Sequence, residues 1–281
     1  MEPEGTWEAA VQRLRSDPDR EALVRACYFD DPLPEAAQRF AASDEWRAVL
    51  PLLPRAPGEA LDLGAGRGIS SYALARAGWK VAALEPDAGA LVGAAAIRAL
   101  AGQTRLPITV VAGAAEALPF PDARFTLVHA RQVLHHARDL RLLCREVARV
   151  LKPGGRLVAT REHVISRRED LARFLSRHPL HPFYGGENAC LLDDYLCAIS
   201  AAGLRLLEVL GPFQSLINFP ALPGPEEAGG RGWRLPAQRA LRLLARERKV
   251  PARRLLDLLS AVLSRACRTP GRLYSFVAEL P

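Results

Sequence analysis

The stretch LDLGAGRGIS, residues 61–70, places three glycines at alternate positions directly after an apolar run. Glycine adopts positive φ and lets the backbone approach a ligand closely. Three glycines within five residues therefore favour a ligand-binding turn over a purely structural one. Glu85 ends a second apolar segment, KVAAL, where a carboxylate can accept hydrogen bonds from both hydroxyls of a ribose. The two features together predict a site for a nucleotide-like cofactor.

The spacing of the glycines narrows the choice of cofactor. A dinucleotide fingerprint reads G-x-G-x-x-G, with a pyrophosphate on the N-terminus of the following helix. This turn instead reads Gly64-x-Gly66-x-Gly68, and Asp62 comes two residues before the first glycine. Glu85 fits either kind of cofactor. The glycine spacing and Asp62 favour a cofactor without a pyrophosphate.

Histidines form a second group of residues that could do chemistry. A neutral imidazole near a substrate can take a proton in the physiological range, and the candidates for this role are His135, His163 and His181. His135 is followed by a second histidine, and such a pair after a strand can also serve as a helix cap. Both interpretations of His135 remain open at this point.

Residues 178–188 combine imidazole, phenol, carboxylate and amide groups around two adjacent glycines. This density of polar groups suits a substrate pocket, and the residues that we assign to it are Tyr184, Glu187 and Asn188. The alternative is a loop whose polar groups satisfy one another. We expect no metal, because no pair of histidines has H-x₃-H spacing on a helix and no carboxylate-rich triad accompanies them.

The elements that must position these residues alternate between strand and helix from Pro57 onward. The predicted strands are Glu59–Leu63, Lys80–Leu84, Ile108–Val111, Phe125–His129 and Arg156–Thr160, and the predicted helices are Ile69–Ala77, Ala88–Ala101 and Leu140–Leu151. Such an alternation predicts right-handed crossovers and a mainly parallel sheet, which is an α/β fold. Ligands bind beyond the carboxyl ends of the strands in such sheets, and the glycine turn lies there.

Three segments resemble the class I S-adenosylmethionine-dependent methyltransferases, of the small-molecule, methyltransferase type 11-like kind. They are ALDLGAGRGISSYALARAGWKVAALEPD, VVAGAAEALPFPDARFTLVHARQVLHH and LKPGGRLV, and their order and spacing over about residues 58–160 match the family. The resemblance implies a Rossmann-like, seven-stranded, mostly parallel sheet with helices on both faces. It implies an antiparallel last strand, with Leu204–Val209 and Leu273–Ala278 as the sixth and seventh strands. The implied cofactor is S-adenosyl-L-methionine.

The resemblance also implies which residues bind the cofactor. They are, in chain order, Asp62, Gly64, Ala65, Gly66, Glu85, Pro86, Ala115, Glu116 and Arg131. In the family, the turn lines the methionine part, the acid that ends the second strand holds the ribose, and the next residue packs beside the adenine. Ala114 and Thr126 stand where the family often has aspartates. This departure keeps a non-catalytic cofactor-binding protein open as an alternative.

The chain outside the motifs predicts additional helices. We divide it into an N-terminal helical lid (1–56), the cofactor-binding core (57–211), a basic helical insertion (212–272) and the final core strand (273–281). A lid of this kind would close over the cofactor and exclude water. The helices predicted in the lid and the insertion are about Trp7–Arg15, Asp19–Tyr28, Glu35–Leu50, Pro236–Lys249 and Pro251–Arg268.

The basic character of the chain is local. Residues 231–272 contain twelve Arg or Lys against Glu247 and Asp257, a net charge of +10, whereas the whole chain carries +7. A solvated basic face, an anionic substrate and weak contact with an anionic surface all remain open. We do not expect nucleic acid, because Trp233 is the only aromatic residue of this segment before Tyr274 and gives little platform for stacking bases.

Composition and cysteine usage predict a cytoplasmic protein. The chain has 281 residues with ordinary hydrophobic and charged fractions, and no apolar run reaches the roughly 18 residues of a membrane helix. Its acidic N-terminus lacks the layout of a signal peptide. Five scattered cysteines without a CxxC pair indicate reduced thiols.

These observations lead to one functional hypothesis and two alternatives. The hypothesis is an S-adenosylmethionine-dependent methyltransferase that transfers a methyl group to a small-molecule acceptor by in-line displacement. The first alternative is an RNA or protein methyltransferase that docks through the basic insertion. The second is a non-catalytic S-adenosylmethionine-binding scaffold or regulator.

Overall fold

A computed structural model describes residues 5–219 and 253–281 of the chain. Its strands are β1 (Glu59–Leu63), β2 (Lys80–Leu84), β3 (Ile108–Val111), β4 (Phe125–Arg131), β5 (Leu151–Ile165), β6 (Cys190–Leu191), β7 (Arg205–Leu210) and β8 (Arg272–Glu279). They form one sheet in the order β3-β2-β1-β4-β5-β8-β7, and the short β6 pairs with the end of β5. Strand β8 runs antiparallel to both of its neighbours, while the other pairs are parallel. The α/β fold and the antiparallel last strand are confirmed, with β6 as an addition.

Helices flank the sheet and precede it. They are α1 (Trp7–Arg15), α2 (Glu21–Ala26), α3 (Leu33–Ala41), α4 (Asp44–Val49), α5 (Ile69–Arg76), α6 (Ala94–Thr104), α7 (Leu140–Val150), α8 (Asp170–Leu175), α9 (His181–Tyr184), α10 (Leu192–Ala201) and α11 (Arg253–Ala266). Within the two described ranges, no helix combines the length and the apolar character that crossing a membrane requires. The predicted helix Pro236–Lys249 lies outside the described residues.

The core has two layers, one on each face of the sheet. Successive residues of a strand point to opposite faces, and Leu127 and Val128 of β4 accordingly belong to different clusters. Val128 packs with helices α7 and α10, whereas Leu127 packs with α5 and with Phe40 and Trp46 of the N-terminal helices. Helices α3 and α4 therefore share one core layer with α5, on the same face of the sheet.

Several helix boundaries differ from the sequence prediction, and for two of the larger differences a side chain gives the reason. The predicted helix Glu35–Leu50 is interrupted because the Ser43 hydroxyl accepts the Trp46 N–H at 3.1 Å and begins a new helix. Helix α6 begins at Ala94 instead of Ala88. The carboxylate of Asp87 accepts the Gly89 N–H at 2.9 Å there, and this local hydrogen bond competes with helix formation.

Strand β5 is longer at both ends than predicted. The PGG segment lies within it, where the register against β4 shifts between Phe125 and Leu127. At the other end the strand continues past Thr160, and its pairing with β8 is irregular between Ala159 and Glu162. Arg161 has a φ of 62° at this irregularity. The bulge redirects the side chains that follow and places them beyond the carboxyl ends of the neighbouring strands.

Candidate functional site

The glycine turn after β1 has the left-handed backbone that its sequence predicts. Gly64, Gly66 and Gly68 have φ values of 61°, 57° and 80°. A Cβ on Gly64 would lie 2.8 Å from a methyl carbon of Val133, so this glycine is required by close packing. A Cβ on Gly66 would meet no heavy atom within 4 Å. The backbone at Gly66 therefore borders free space that a side chain would fill.

Glu85 follows β2 and lies directly under this turn. Its carboxylate accepts the N–H of Gly66 at 2.7 Å and the N–H of Asp87 at 3.0 Å, and the side chain is buried. Burial raises the pKa of this carboxyl, while the two backbone donors oppose the shift. Each carboxylate oxygen accepts more than one hydrogen bond, so both can still receive a ribose hydroxyl.

Asp62 lies beneath the turn, with its side chain 2% exposed. Its carboxylate accepts the Ser71 hydroxyl at 2.6 Å and lies 3.2 Å from Nδ1 of His129 on β4. The Ser71 bond joins β1 to helix α5, which follows the turn, and the His129 contact joins β1 to β4. The structure thus places Asp62 where it shapes the turn, and direct contact with a cofactor remains a prediction.

The N-terminal helices are attached to the glycine turn through Arg67. One guanidinium nitrogen donates to the backbone carbonyls of Tyr28 and Asp30, both at 3.0 Å. The other donates to the Asp31 carboxylate at 2.5 Å. Helix α1 adds a second attachment, since the Glu8 carboxylate accepts the N–H of Leu91 at 2.5 Å in the loop after β2.

Arg131 forms an ion pair with the N-terminal helices. Its guanidinium donates to both carboxylate oxygens of Glu45, at 2.7 and 3.2 Å. Arg161 lies 3.7 Å from the same carboxylate and donates to the carbonyls of Ile217 and Phe219. Burial opposes ionisation of Glu45, but the two guanidiniums outweigh it and hold the pKa of Glu45 below its usual value. Arg131 thus attaches α4 to the end of β4, and its predicted cofactor contact remains a prediction.

The remaining residues predicted to bind the cofactor lie in three environments. Ala65 is buried within the turn, and Pro86 is exposed next to Glu85. Ala115 packs against the main core cluster. The Glu116 carboxylate accepts the N–H of Arg138 at 2.8 Å, which ties its loop to the segment before α7. Their contacts with a cofactor remain predictions.

His135 lies on the short 3₁₀ turn Leu134–His136 after β4, and its ring is buried. Its Nδ1 is 2.6 Å from the carboxylate of Glu162 on β5, which also accepts the backbone N–H groups of Val133 and His135 at 3.1 Å. The carboxylate selects the tautomer that carries its proton on Nδ1, and Nε2 is left unprotonated. Burial lowers the pKa of His135 well below its ordinary value.

His163 follows Glu162 and has its tautomer selected in a similar way. Its Nδ1 is 2.9 Å from the carbonyl oxygen of Gly271, which can only accept, so Nδ1 is the donor. Its Nε2 is buried and has no hydrogen-bond partner among the described residues. Burial lowers the pKa of His163 to about 3. The ring centroid lies 4.8 Å from that of His135.

The loop between α9 and β6 brings Glu187 to these two histidines. Its buried carboxylate lies 3.9 Å from Nε2 of His135 and 3.6 Å from Nδ1 of His178, and it accepts the Tyr184 hydroxyl at 2.5 Å. The structure thus joins three predicted site residues, His135, His163 and Glu187, into one polar cluster. We call these three residues the histidine–carboxylate cluster.

The other predicted site residues of this region lie on α9 or on the loop that follows it. The Tyr184 ring packs 4.9 Å from the Trp7 ring of α1. The Asn188 side chain accepts the N–H of Ala189 at 2.8 Å. Among the described contacts, neither Asn188 nor His181 touches the three cluster residues. His178 contacts the cluster directly, and its pKa is lowered to about 4 by burial.

Val133 connects the two halves of the site. A Cβ on Gly64 would collide with its side chain, and its N–H donates to Glu162. The glycine turn and the His135–Glu162 pair are therefore neighbours at the same edge of the sheet. Sequence reasoning missed Glu162 because β5 was expected to end at Thr160. An available signal was an acid next to a histidine at the end of the predicted strand.

Residues 61–159 match the family described as "Methyltransferase domain". A demethylmenaquinone methyltransferase of Corynebacterium glutamicum (strain R) is 33% identical over 150 residues, which are 51% of this chain and 61% of the relative. The 27-O-demethylrifamycin SV methyltransferase of Amycolatopsis mediterranei (strain S699) is 35% identical over 133 residues, 46% of this chain and 47% of the relative. The chain thus spans about half the length of such relatives.

Solved structures support the fold over a longer range. Geranyl diphosphate C-methyltransferase from Streptomyces coelicolor A3(2) aligns with a TM-score of 0.60 at 17% identity, over 91% of this chain and 88% of that chain. The [4+2]-cyclase SpnF aligns with a TM-score of 0.55 at 20% identity, over 88% and 81%. A shared fold does not by itself establish the reaction.

The segment 61–159 is thus similar to the methyltransferase domain family, which agrees with the resemblance to class I S-adenosylmethionine-dependent methyltransferases that its motifs carry. S-adenosylmethionine is the cofactor of this class. The residues present fit it, because the space bordering Gly66 is free and Glu85 lies beside it with acceptor capacity to spare.

Proposed function

We propose that the protein transfers a methyl group from S-adenosylmethionine to a small-molecule acceptor. The observation that carries this proposal is the hydrogen bond between the Gly66 N–H and Glu85, at the carboxyl edge of the sheet and beside free space. This arrangement presents a backbone turn and a carboxylate to one ligand. S-adenosylmethionine, when bound, supplies a sulfonium methyl group together with its leaving group.

The protein must orient the acceptor, exclude water and accept a proton if the acceptor is a hydroxyl or an amine. The cluster next to the turn supplies two unprotonated Nε2 atoms, one on His135 and one on His163. We propose that these atoms accept hydrogen bonds from the acceptor and so orient it. Helix α1 contacts both the loop after β2 and Tyr184, so it covers the site from the N-terminal side.

Relatives support a small organic acceptor. The names of two of them specify demethylmenaquinone and 27-O-demethylrifamycin SV, which are small molecules. The polar cluster suits an acceptor with an oxygen or nitrogen that can hydrogen-bond to imidazole. We propose an acceptor of this class, and the atom that receives the methyl group is left to experiment.

Calorimetry with S-adenosylmethionine tests the cofactor half of the proposal. Glu85→Ala should weaken binding by about 1–3 kcal/mol, the cost of losing a charge-assisted hydrogen bond. Glu59→Ala is the matched control, because Glu59 lies at the amino end of β1, away from the glycine turn, and its carboxylate pairs with Arg124. It should bind the cofactor like the wild type. Tight binding of NAD, or indifference to Glu85→Ala, would contradict the assignment.

Mass spectrometry tests the reaction itself. The protein and labelled S-adenosylmethionine are incubated with fractionated metabolite extracts, and labelled products are compared with those of Glu85→Ala. A product that gains one methyl group and is absent from the variant supports the proposal. Tight cofactor binding with no methylated product in any fraction would favour the non-catalytic alternative.

A further inference from the structure

The histidine–carboxylate cluster has the composition of a metal site. His135, His163 and Glu187 each offer one ligand atom, and the three atoms lie within 4.8 Å of one another. Two imidazole nitrogens and a carboxylate oxygen are ligands that Zn²⁺ and Fe²⁺ accept. They come from the turn after β4, from β5 and from the loop before β6, so no spacing rule along the sequence detects them.

We propose that this cluster binds one divalent transition-metal ion through Nε2 of His135, Nε2 of His163 and the carboxylate of Glu187. With bonds of about 2.1 Å, tetrahedral ligands are about 3.4 Å apart. Nε2 of His135 is already 3.9 Å from the Glu187 carboxylate. Small side-chain rotations would bring the ligands to their bonding positions around an ion.

The groups behind the ligands favour metal binding. Metal-ligating histidines usually donate their other ring N–H to a carboxylate or a backbone carbonyl. His135 donates Nδ1–H to Glu162 at 2.6 Å, and His163 donates Nδ1–H to the Gly271 carbonyl at 2.9 Å. Each bond directs an unprotonated Nε2 towards the third ligand. The Tyr184 hydroxyl does the same for Glu187 by holding one of its oxygens.

One polar atom of the cluster is left without a hydrogen-bond partner among the described residues. A buried polar atom without a hydrogen bond costs free energy, and Nε2 of His163 is such an atom. An ion at this position would satisfy it.

Three protein ligands leave at least one coordination position for a ligand from outside the chain. Resting on the proposed function, this position would take an oxygen of the acceptor, because a divalent ion lowers the pKa of a bound hydroxyl. The loop that carries Glu187 packs on α1 through Tyr184 and Trp7. The ion would therefore link acceptor binding to the position of the N-terminal helices.

Metal content tests the proposal without any methyl-transfer assay. The chelator-treated protein is titrated with Zn²⁺ by calorimetry and with Co²⁺ by absorption spectroscopy, and the dialysed protein is examined by elemental analysis. We expect one equivalent of ion and a Co²⁺ spectrum of a four- or five-coordinate site. Glu187→Gln and His163→Asn should each weaken binding at least tenfold.

Two control variants separate this site from surface binding. Asp193→Asn makes the same carboxylate-to-amide change at an exposed position of α10, and Cys197→Ser removes an exposed thiol. Both should keep wild-type affinity. Circular dichroism melting shows whether each variant is folded, and Glu187→Gln preserves shape if His163→Asn does not fold. Uptake of no ion by the wild type, or equal affinity in folded Glu187→Gln, would overturn the proposal. Neither result depends on whether the protein transfers methyl groups.

Discussion

His135 and Glu162 form a buried pair in which a carboxylate receives the ring N–H and the backbone N–H of the same residue. The pair determines both where the imidazole lies and which of its nitrogens is free. Neither effect requires a ligand. The side of the site that we propose for the acceptor is therefore preorganised without a ligand.

The pair predicts a histidine that does not titrate near neutral pH. Burial lowers the pKa of His135 well below its ordinary value, so its ring should stay neutral from pH 8 to pH 5. Nitrogen NMR of the chelator-treated protein should show the Nδ1–H tautomer throughout. In the urea-unfolded protein, the ring of His135 should titrate with a pKa of about 6.5. A folded-state transition between pH 6 and pH 7 would contradict the structure.

Gly66→Ala should lose the cofactor and keep the fold. A residue other than glycine in the left-handed region costs about 1–2 kcal/mol, and the space around Gly66 holds no atom to collide with. Gly203→Ala is the matched control, since Gly203 has a φ of 81° and equally open space in the turn before β7. Urea unfolding should show similar losses for both variants. Calorimetry should show at least tenfold weaker S-adenosylmethionine binding for Gly66→Ala alone.

Glu45→Gln should destabilise the attachment of α4 to the sheet. The substitution leaves Arg131 and Arg161 buried without their shared counter-charge, and a broken buried ion pair costs about 3 kcal/mol or more. Asp44→Asn, the neighbouring acid, affects a partly exposed pair with Arg47 and should cost under about 1 kcal/mol. Urea unfolding at pH 7 measures both. Equal losses of unfolding free energy for the two substitutions would show that the buried ion pair stabilises the fold no more than the exposed one.

The same residue gives a pH dependence with a definite sign. The pKa of Glu45 is lowered in the folded state, so its contribution to stability is fully present above its unfolded value of about 4.3. That contribution is lost as the pH falls through the lower folded value. The unfolding free energies of the wild type and Glu45→Gln should therefore converge between pH 5 and strongly acidic solution. Parallel curves over this range would contradict the lowered pKa.

Substitutions in the acceptor half should spare the cofactor half. Tyr184→Phe removes the hydroxyl that holds Glu187 but keeps the ring that packs on Trp7. It and His181→Ala should leave S-adenosylmethionine affinity within about twofold, a change under about 0.5 kcal/mol. Once an acceptor is known, the KM of Tyr184→Phe for it should rise. If either folded variant lost the cofactor, the loop would belong to the cofactor site.

The glycine turn and its neighbour Glu85 could be predicted from the sequence because they are local. Gly64, Gly66 and Glu85 lie on consecutive elements, and a backbone turn needs particular residues at particular positions. The antiparallel last strand followed from the family resemblance that the same motifs carry. The start of α6 was predicted wrongly because Asp87 forms a local hydrogen bond that periodicity does not register.

The acceptor half could be predicted only in part because it is assembled from distant segments. His135, His163 and Glu187 were chosen for their chemical types, and nothing in their spacing showed that they meet. Glu162 was missed because the bulge at Arg161 extends β5 beyond its apolar run. The role of Arg131 as the partner of Glu45 likewise depends on a contact across 86 residues of chain.

Helix α1 contacts the loop that follows β2 through Glu8 and the loop that carries Glu187 through Trp7. One helix thus contacts the segments beside both the glycine turn and the histidine–carboxylate cluster, so a movement of α1 would disturb both contacts. Dissociation of the molecule bound at one site should then speed dissociation of the molecule bound at the other. In a complex with both sites filled, each molecule should dissociate more slowly than when it is bound alone. Release of both molecules would then depend on one movement of α1, and the contacts of the first turn of this helix would limit its rate.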